Sequence, residues 1–380
     1  MYESRSGNFM NKYYSCILYL VSYVLHNKKV DAEKIKSMDM EQLLNICKFH
    51  SLTVIVAYAL ESAGIKDKNF QKEKSLAIRN IMLLDAELKQ MCHFWDENKI
   101  WYMPLKGVYL KDYYPKIGMR QMCDNDILID PAGLELTDQW MSKRGYHRHD
   151  YSNHDYSYLK KPCYNYEIHY ALAANYHGHG WLNYYNDIKK KLIRNNENSY
   201  EYHFSDEDFY LFMIMHEYKH FSTGGTGLRS LVDSYVYLKK FSDIMDWNYI
   251  HQECHKLEIA EFEAASREIS LKIFDSPDFP ELSDSERKMI EYYCGSGTYG
   301  TVSNATIKKM NKFESETGST SKFKYILSRI FPPMESYRIF YPFFYRHKVL
   351  LPVGWAYRLL RGIFCKRNSI KSELNTIKYK

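Results

Sequence analysis

No stretch of this chain reaches about eighteen clean apolar residues, the length a helix needs to cross a bilayer. The longest apolar run near the start, CILYLVSYVL, is shorter and interrupted by a serine, so it reads as a buried or docking helix. The opening residues, MYESRSGNFMNKYY, lack the basic, apolar and small-residue segments of a secretory leader. A cytoplasmic protein that neither spans a membrane nor is secreted is therefore expected. Among the eight cysteines there is no Cys-x-x-Cys pair and no framework spacing, which excludes a disulfide scaffold. They read as reduced, mostly buried thiols, with Cys123 a packing residue. There is no internal repeat and no heptad array. Charge of one sign is also scarce in surplus, since a net +6 is small for 380 residues. That balance permits an anionic substrate, but no basic strip with interleaved aromatics marks a polynucleotide groove, and a nucleic-acid partner is not expected.

What the chain does have is 45% hydrophobic and 26% charged residues, an ordinary globular balance, at a length that can fill one large core or two to three smaller ones. The 36 tyrosines supply packing surface with polar tips, and their number makes any single one a poor functional candidate. Asp31 or Ser37 is placed to start a helix, and His50 reads as a structural histidine. Residues 68 to 98 carry the clearest helical stripe, through Ile78, Ile81, Met82, Leu84, Leu88, Met91 and Phe94. A strand, helix, strand pattern follows between residues 100 and 170, closed at its helix by Arg144-Gly145. Ser205 is placed to cap the next helix, and from residue 229 onward the pattern is helical.

Within that frame one stretch, PLKGVYLKDYYPKIGMRQMCDNDILID from Pro104 to Asp130, carries chemistry. Asp124 and Asp126 stand two apart at the head of the apolar run Ile127-Leu128-Ile129, so a strand turns both carboxylates to one face. Carboxylates that close repel, and a shared cation or proton relieves the repulsion. Upstream, Lys106, Gly107 and Arg120 supply positive charge and a point where backbone can approach a ligand. Downstream, Tyr166-Glu167-Ile168-His169-Tyr170 offers a third carboxylate, Glu167, from a further strand. Three carboxylates with nearby cations are what metal-assisted phosphoryl or nucleotidyl transfer needs.

The ordered blocks resemble the uncharacterised bacterial nucleotidyltransferase family of the DNA polymerase beta-like superfamily. They comprise Leu105-Lys106-Gly107, the Tyr114-Pro115 spacer, Gly118-x-Arg120, Asp124-x-Asp126-Ile-Leu-Ile and the Tyr166–Tyr170 strand. The likeness continues through Ile214–Phe221 and Gly224–Arg229 to Asp233, and spans about residues 30 to 355. It implies an α/β (α+β) fold: a polymerase beta-like core with a mixed sheet, embedded in N-terminal and C-terminal helical regions. The expected divisions are a helical region 1–98, a catalytic core 99–200, a helical domain 201–320 and a basic aromatic extension 321–380. It further implies Asp124, Asp126 and Glu167 as catalytic and magnesium-holding residues. Lys106, Gly107, Arg120 and Arg229 would face a nucleoside triphosphate, with ATP the first choice, and a small molecule or protein would accept the nucleotide. One departure is that Lys106-Gly107 stands where the superfamily carries Gly-Gly or Gly-Ser. Phosphoryl transfer on the same fold, or binding without turnover, are the alternative readings.

Three further motifs have two readings each. His147, His149 and His154 lie close together, but their spacing fits none of the tighter zinc signatures, and a solvated strand-turn-strand arm, placed to contact the acceptor substrate, is expected. His216-Glu217-Tyr218-Lys219-His220 fits H-E-x-x-H literally, yet no third ligand is evident, so a helical cleft lining is expected in place of a zinc protease. Gly224-Gly225-Thr226-Gly227 either lets backbone pass close to a phosphate or is an ordinary joint, with Asp233 placed to pin Arg229 one turn away. The basic aromatic end is read as docking on the protein; a membrane-surface role is disfavoured because Pro332, Pro333, Pro342 and Pro352 interrupt any long amphipathic helix.

Overall fold

The computed structural model describes residues 12–149, 154–173, 179–275 and 280–379. Its backbone falls into two compact units, one of residues 1–218 and 227–298 and one of residues 219–226 and 299–380.

The first unit is built on a five-stranded mixed sheet. Its strands are β1 (Tyr102–Pro104), β2 (Asn125–Ile129), β3 (His147–His149), β4 (Asp155–Lys160) and β5 (Tyr164–His169), in the order β1-β2-β5-β4-β3. β2 and β5 are parallel neighbours, and every other pair is antiparallel. Alternation along β2 divides the core. Ile127 and Ile129 face one apolar cluster with Tyr158, Tyr166 and Ile168, whereas Leu128 belongs to a second cluster with Met103, Leu105 and Leu110.

The Lys68–Glu97 helix covers the first of these faces with Leu84, Leu88, Met91 and Trp95. Asp67 caps it by accepting from the Asn69 and Phe70 amides. Two side-chain bonds fix it in place: the Trp95 indole donates to Thr137 Oγ1 at 3.1 Å, and the Tyr166 hydroxyl donates to the Leu84 carbonyl at 2.7 Å. The stripe is narrower than its sequence suggests, because Met82 is exposed and Trp95 takes the deeper place. The second cluster is closed by helices Asp206–Thr223 and Leu228–Phe241, through residues such as Leu211, Met215, Tyr237 and Leu238.

Helix starts follow local chemistry with one correction. Asp31 caps a short 3-10 turn and Asp39 caps the Met40–Phe49 helix, so Ser37 starts nothing. Ser205 accepts from the Asp208 amide, as its position implies. His50 is fully buried and its Nδ1 accepts from the Leu228 amide at 3.2 Å, so it caps a helix that lies 178 residues away in sequence. Gly227 explains part of the glycine run. A Cβ there would lie 2.7 Å from the Gly297 carbonyl carbon and 2.9 Å from His50 Nδ1, so the close approach is to protein. Cys123 is exposed and not a packing residue, and all seven described cysteines are free.

The second unit is helical, with helices including Val302–Thr317, Lys322–Ile330, Leu351–Cys365 and Arg367–Tyr379 around Met310, Tyr325 and Ile377. Only residues 318–321 separate the first two of these helices, because Gly318 at φ 64° ends one and Ser321 caps the next. No helix among the described residues is long and apolar enough to cross a membrane.

Candidate active site

The site lies on the Leu128 face of β2, at the end where the strand begins. Parallel pairing sets Asp126 opposite Glu167 and Leu128 opposite His169. On the other side of β5, Ser157 pairs with Glu167 and Asp155 with His169. Residues directly paired across a sheet leave the same face, so the register alone gathers Asp126, Glu167, His169 and Asp155. His169 Nε2 lies 3.1 Å from Asp126 Oδ1 and 4.0 Å from Glu167 Oε2. Ligand atoms of Asp126, Glu167 and His169 fall within 4.8 Å of one another, a spacing that can hold a metal ion. Asp124, just before β2, is outside that tight group but close enough to act electrostatically on Asp126 and Glu167.

Burial and mutual repulsion divide the titration of these acids. Loss of hydration, then the charges of Asp126 and Asp124, push Glu167 up to about 7. Asp124 is also raised, by burial and by Asp126. Asp126 goes the other way: burial opposes it, but the hydrogen bond and charge of His169 hold it below the usual carboxylate range. His169 is correspondingly raised against the effect of its own burial, chiefly by Asp126.

A cationic group adjoins the acids. Arg120 and Asp233 are both buried and joined by two bonds, Nε to Oδ1 at 2.9 Å and Nη2 to Oδ2 at 3.1 Å. Tyr114 donates to the same Oδ1 at 2.7 Å. The aspartate expected to pin Arg229 is thus claimed by Arg120, whereas Arg229 reaches the Gln121 carbonyl at 3.5 Å. Gly107 lies directly over Arg120, for a Cβ there would stand 2.7 Å from Nη1 and 2.8 Å from Met122 Cε. Lys106 has φ 30° and ψ −87°, a strained conformation for a side-chain-bearing residue. Lost hydration pushes its ammonium down to about 7, with Asp233 and Asp126 opposing and Arg120 and Arg229 assisting. The strain is held by the Leu105 amide on the Asp126 carbonyl at 2.8 Å and the Leu110 amide on the Lys106 carbonyl at 2.9 Å.

Glu217 of the HEYKH segment has a structural environment. It is buried and accepts from the Ser234, Ser266 and Tyr293 hydroxyls, and burial raises its carboxyl. Among the described residues, neither His216 nor His220 joins a metal-spaced group. His154 departs from the solvated arm expected around it. It is 9% exposed, its ring centroid is 5.6 Å from that of His169, and its carbonyl accepts from the Tyr170 amide at 2.9 Å. The grouping of His154 and Asp155 with His169 was missed because His169 is on another strand. The only sequence signal was the adjacent His154 and Asp155 at the head of the alternating strand Asp155–Lys160.

A mixed sheet core flanked by helices is consistent with the fold of a polymerase beta-like nucleotidyltransferase. A family model described as "uncharacterised nucleotidyltransferase" matches residues 36–275, more than half of the chain, and the protein belongs to that family. Membership places it among enzymes of nucleotidyltransferase type in general terms. No curated protein and no solved structure matches the chain.

Proposed function

We propose that this enzyme transfers a nucleotidyl group from a nucleoside triphosphate, ATP first among them, to a hydroxyl or amine of a small molecule or protein, with magnesium as cofactor. The observation that carries the reading is the in-register pairing of Asp126 with Glu167 on parallel strands, Asp124 two residues upstream. The donor set fits the ion. Carboxylate oxygens suit a hard cation, and the acids at Asp124 and Glu167, whose proton affinity is raised beside Asp126, are relieved by a divalent charge. Asp124, Asp126 and Glu167 would hold magnesium, which when bound supplies Lewis-acid charge to the triphosphate oxygens.

The chain's own groups divide the remaining work. His169 holds the Asp126 carboxylate in orientation through their hydrogen bond. Glu167, on the strand beside Asp126, accepts the proton of the attacking acceptor group. Lys106, Arg120 and Arg229 bring positive charge to the triphosphate, with Arg120 steadied by Asp233 and crossed closely by the Gly107 backbone.

The test uses ATP labelled separately at the α- and γ-phosphates, with cell extract as the source of acceptor. Label from the α position should appear in product. Asp124→Asn and Asp126→Asn should each lower transfer by roughly a hundredfold or more while the chain stays folded, a loss of about 3 kcal/mol of transition-state stabilisation. Transfer of the γ label would identify phosphoryl transfer instead. Full transfer by both variants would remove these residues from the mechanism.

A further inference from the structure

We propose that His154, Asp155 and His169 form a second cation site, which takes a borderline divalent ion such as zinc and is joined to the carboxylate cluster through the Asp126–His169 hydrogen bond. The three side chains offer ligand atoms within 4.8 Å of one another. His154 and Asp155 are 9% and 6% exposed, and the His169 side chain is 14% exposed. The backbone holds the group together: Asp155 pairs with His169 in the β4–β5 ladder, and the Tyr170 amide donates to the His154 carbonyl at 2.9 Å. His154 Nδ1 is 3.5 Å from Asp155 Oδ1, which puts an imidazole nitrogen and a carboxylate oxygen side by side.

The chemistry of the donors distinguishes this group from its neighbour. Two imidazoles and one carboxylate favour zinc or a similar transition ion, whereas magnesium prefers oxygen alone. The tautomer of neutral His169 follows from its partner. An ionised Asp126 only accepts, so the ring proton lies on Nε2 and the lone pair on Nδ1. A cation on that lone pair would have Asp126 as the carboxylate behind the ligating histidine, the usual outer partner of a metal-bound imidazole. Two dications linked through one hydrogen bond repel, so zinc here weakens magnesium binding at Asp124, Asp126 and Glu167, and reciprocally. The zinc site stands on its own geometry; only this antagonism rests on the function proposed above.

Equilibrium dialysis of the metal-stripped full chain against Zn2+ should retain one ion per chain, even with Mg2+ in about a hundredfold excess. His154→Gln and Asp155→Asn, checked for folding by circular dichroism, should each weaken zinc binding by about tenfold or more. In the unaltered chain, zinc should also protect His154 and His169 from acylation by diethyl pyrocarbonate, read by peptide mass spectrometry. That measurement needs no variant to fold. No zinc retained, no protection of the two histidines, or undiminished binding by the folded variants overturns the site. A chain that binds zinc as described but transfers no nucleotide sinks the proposed function and leaves this site standing. An active chain that retains no zinc does the reverse.

Discussion

Asp233→Asn is the perturbation whose size the structure defines best. Asp233 and Arg120 side chains are each 5% exposed, and the aspartate accepts from Arg120 Nε at 2.9 Å, Arg120 Nη2 at 3.1 Å and Tyr114 at 2.7 Å. Asparagine keeps the shape and can keep the two bonds to Oδ1, but its amide nitrogen then meets Arg120 Nη2 donor to donor. A guanidinium is left in the interior without its countercharge. Breaking a buried pair from one side costs about 3–5 kcal/mol, and the retained bonds place this variant near the lower figure. Urea unfolding followed by tryptophan fluorescence suits the measurement, since five of the six tryptophans, all but Trp355, lie in the first unit. Acid titration adds a second check. Arg120 and Arg229 hold the Asp233 carboxyl below its ordinary value, so the pair contributes stability above about pH 4 that disappears as pH falls through the depressed value. The variant should lack that component. Replacing both partners by apolar residues, as in Arg120→Met with Asp233→Leu, should cost less than the single change, because no charge is left unpaired. A loss under about 1 kcal/mol for Asp233→Asn, or a double variant as unstable as the sum of its singles, would refute this account of the pair.

His50 gives a pH dependence in the same direction from a different group. Burial pushes it down to about 4, so the fold holds it neutral, and the resulting stability is whole above about pH 6.5 and lost as pH falls toward 4, about 3 kcal/mol in all. His50→Gln should flatten that part of the profile of unfolding free energy against pH. Gly107→Ala should displace the Arg120 guanidinium, whose Nη1 would be 2.7 Å from the new methyl, and lower stability by about 1–3 kcal/mol in thermal or urea melts. Glu167→Gln should weaken Mn2+ binding, read by electron paramagnetic resonance, by tenfold or more without unfolding the chain; unchanged affinity would remove Glu167 from the proposed metal site.

The strands that carry the candidate site were legible in the sequence. The two-residue spacing of Asp124 and Asp126 ahead of Ile127-Leu128-Ile129 is a strand-face argument, and the strand holding Glu167 was visible as a short polar-apolar alternation. The Lys68–Glu97 helix and the Ser205 cap were legible for the same reason: periodicity and capping depend on residues within a turn or two of each other. The helix stripe was misjudged at Met82 and Trp95, since helical spacing ranks faces without saying which margin of a face the sheet will cover.

The remaining decisions belong to pairings that no local pattern records. Arg120 reaches Asp233 across 113 residues, and His50 caps a helix 178 residues on. His154 finds His169, not its neighbours His147 and His149, because β4 lies against β5 with Asp155 opposite His169. Local covalent geometry determined which side of its own strand or helix each residue occupies. Which other side chain stands there to meet it was decided only when the strands took their register and the helices closed over them, since burial energy depends on the whole assembled core and not on sequence separation.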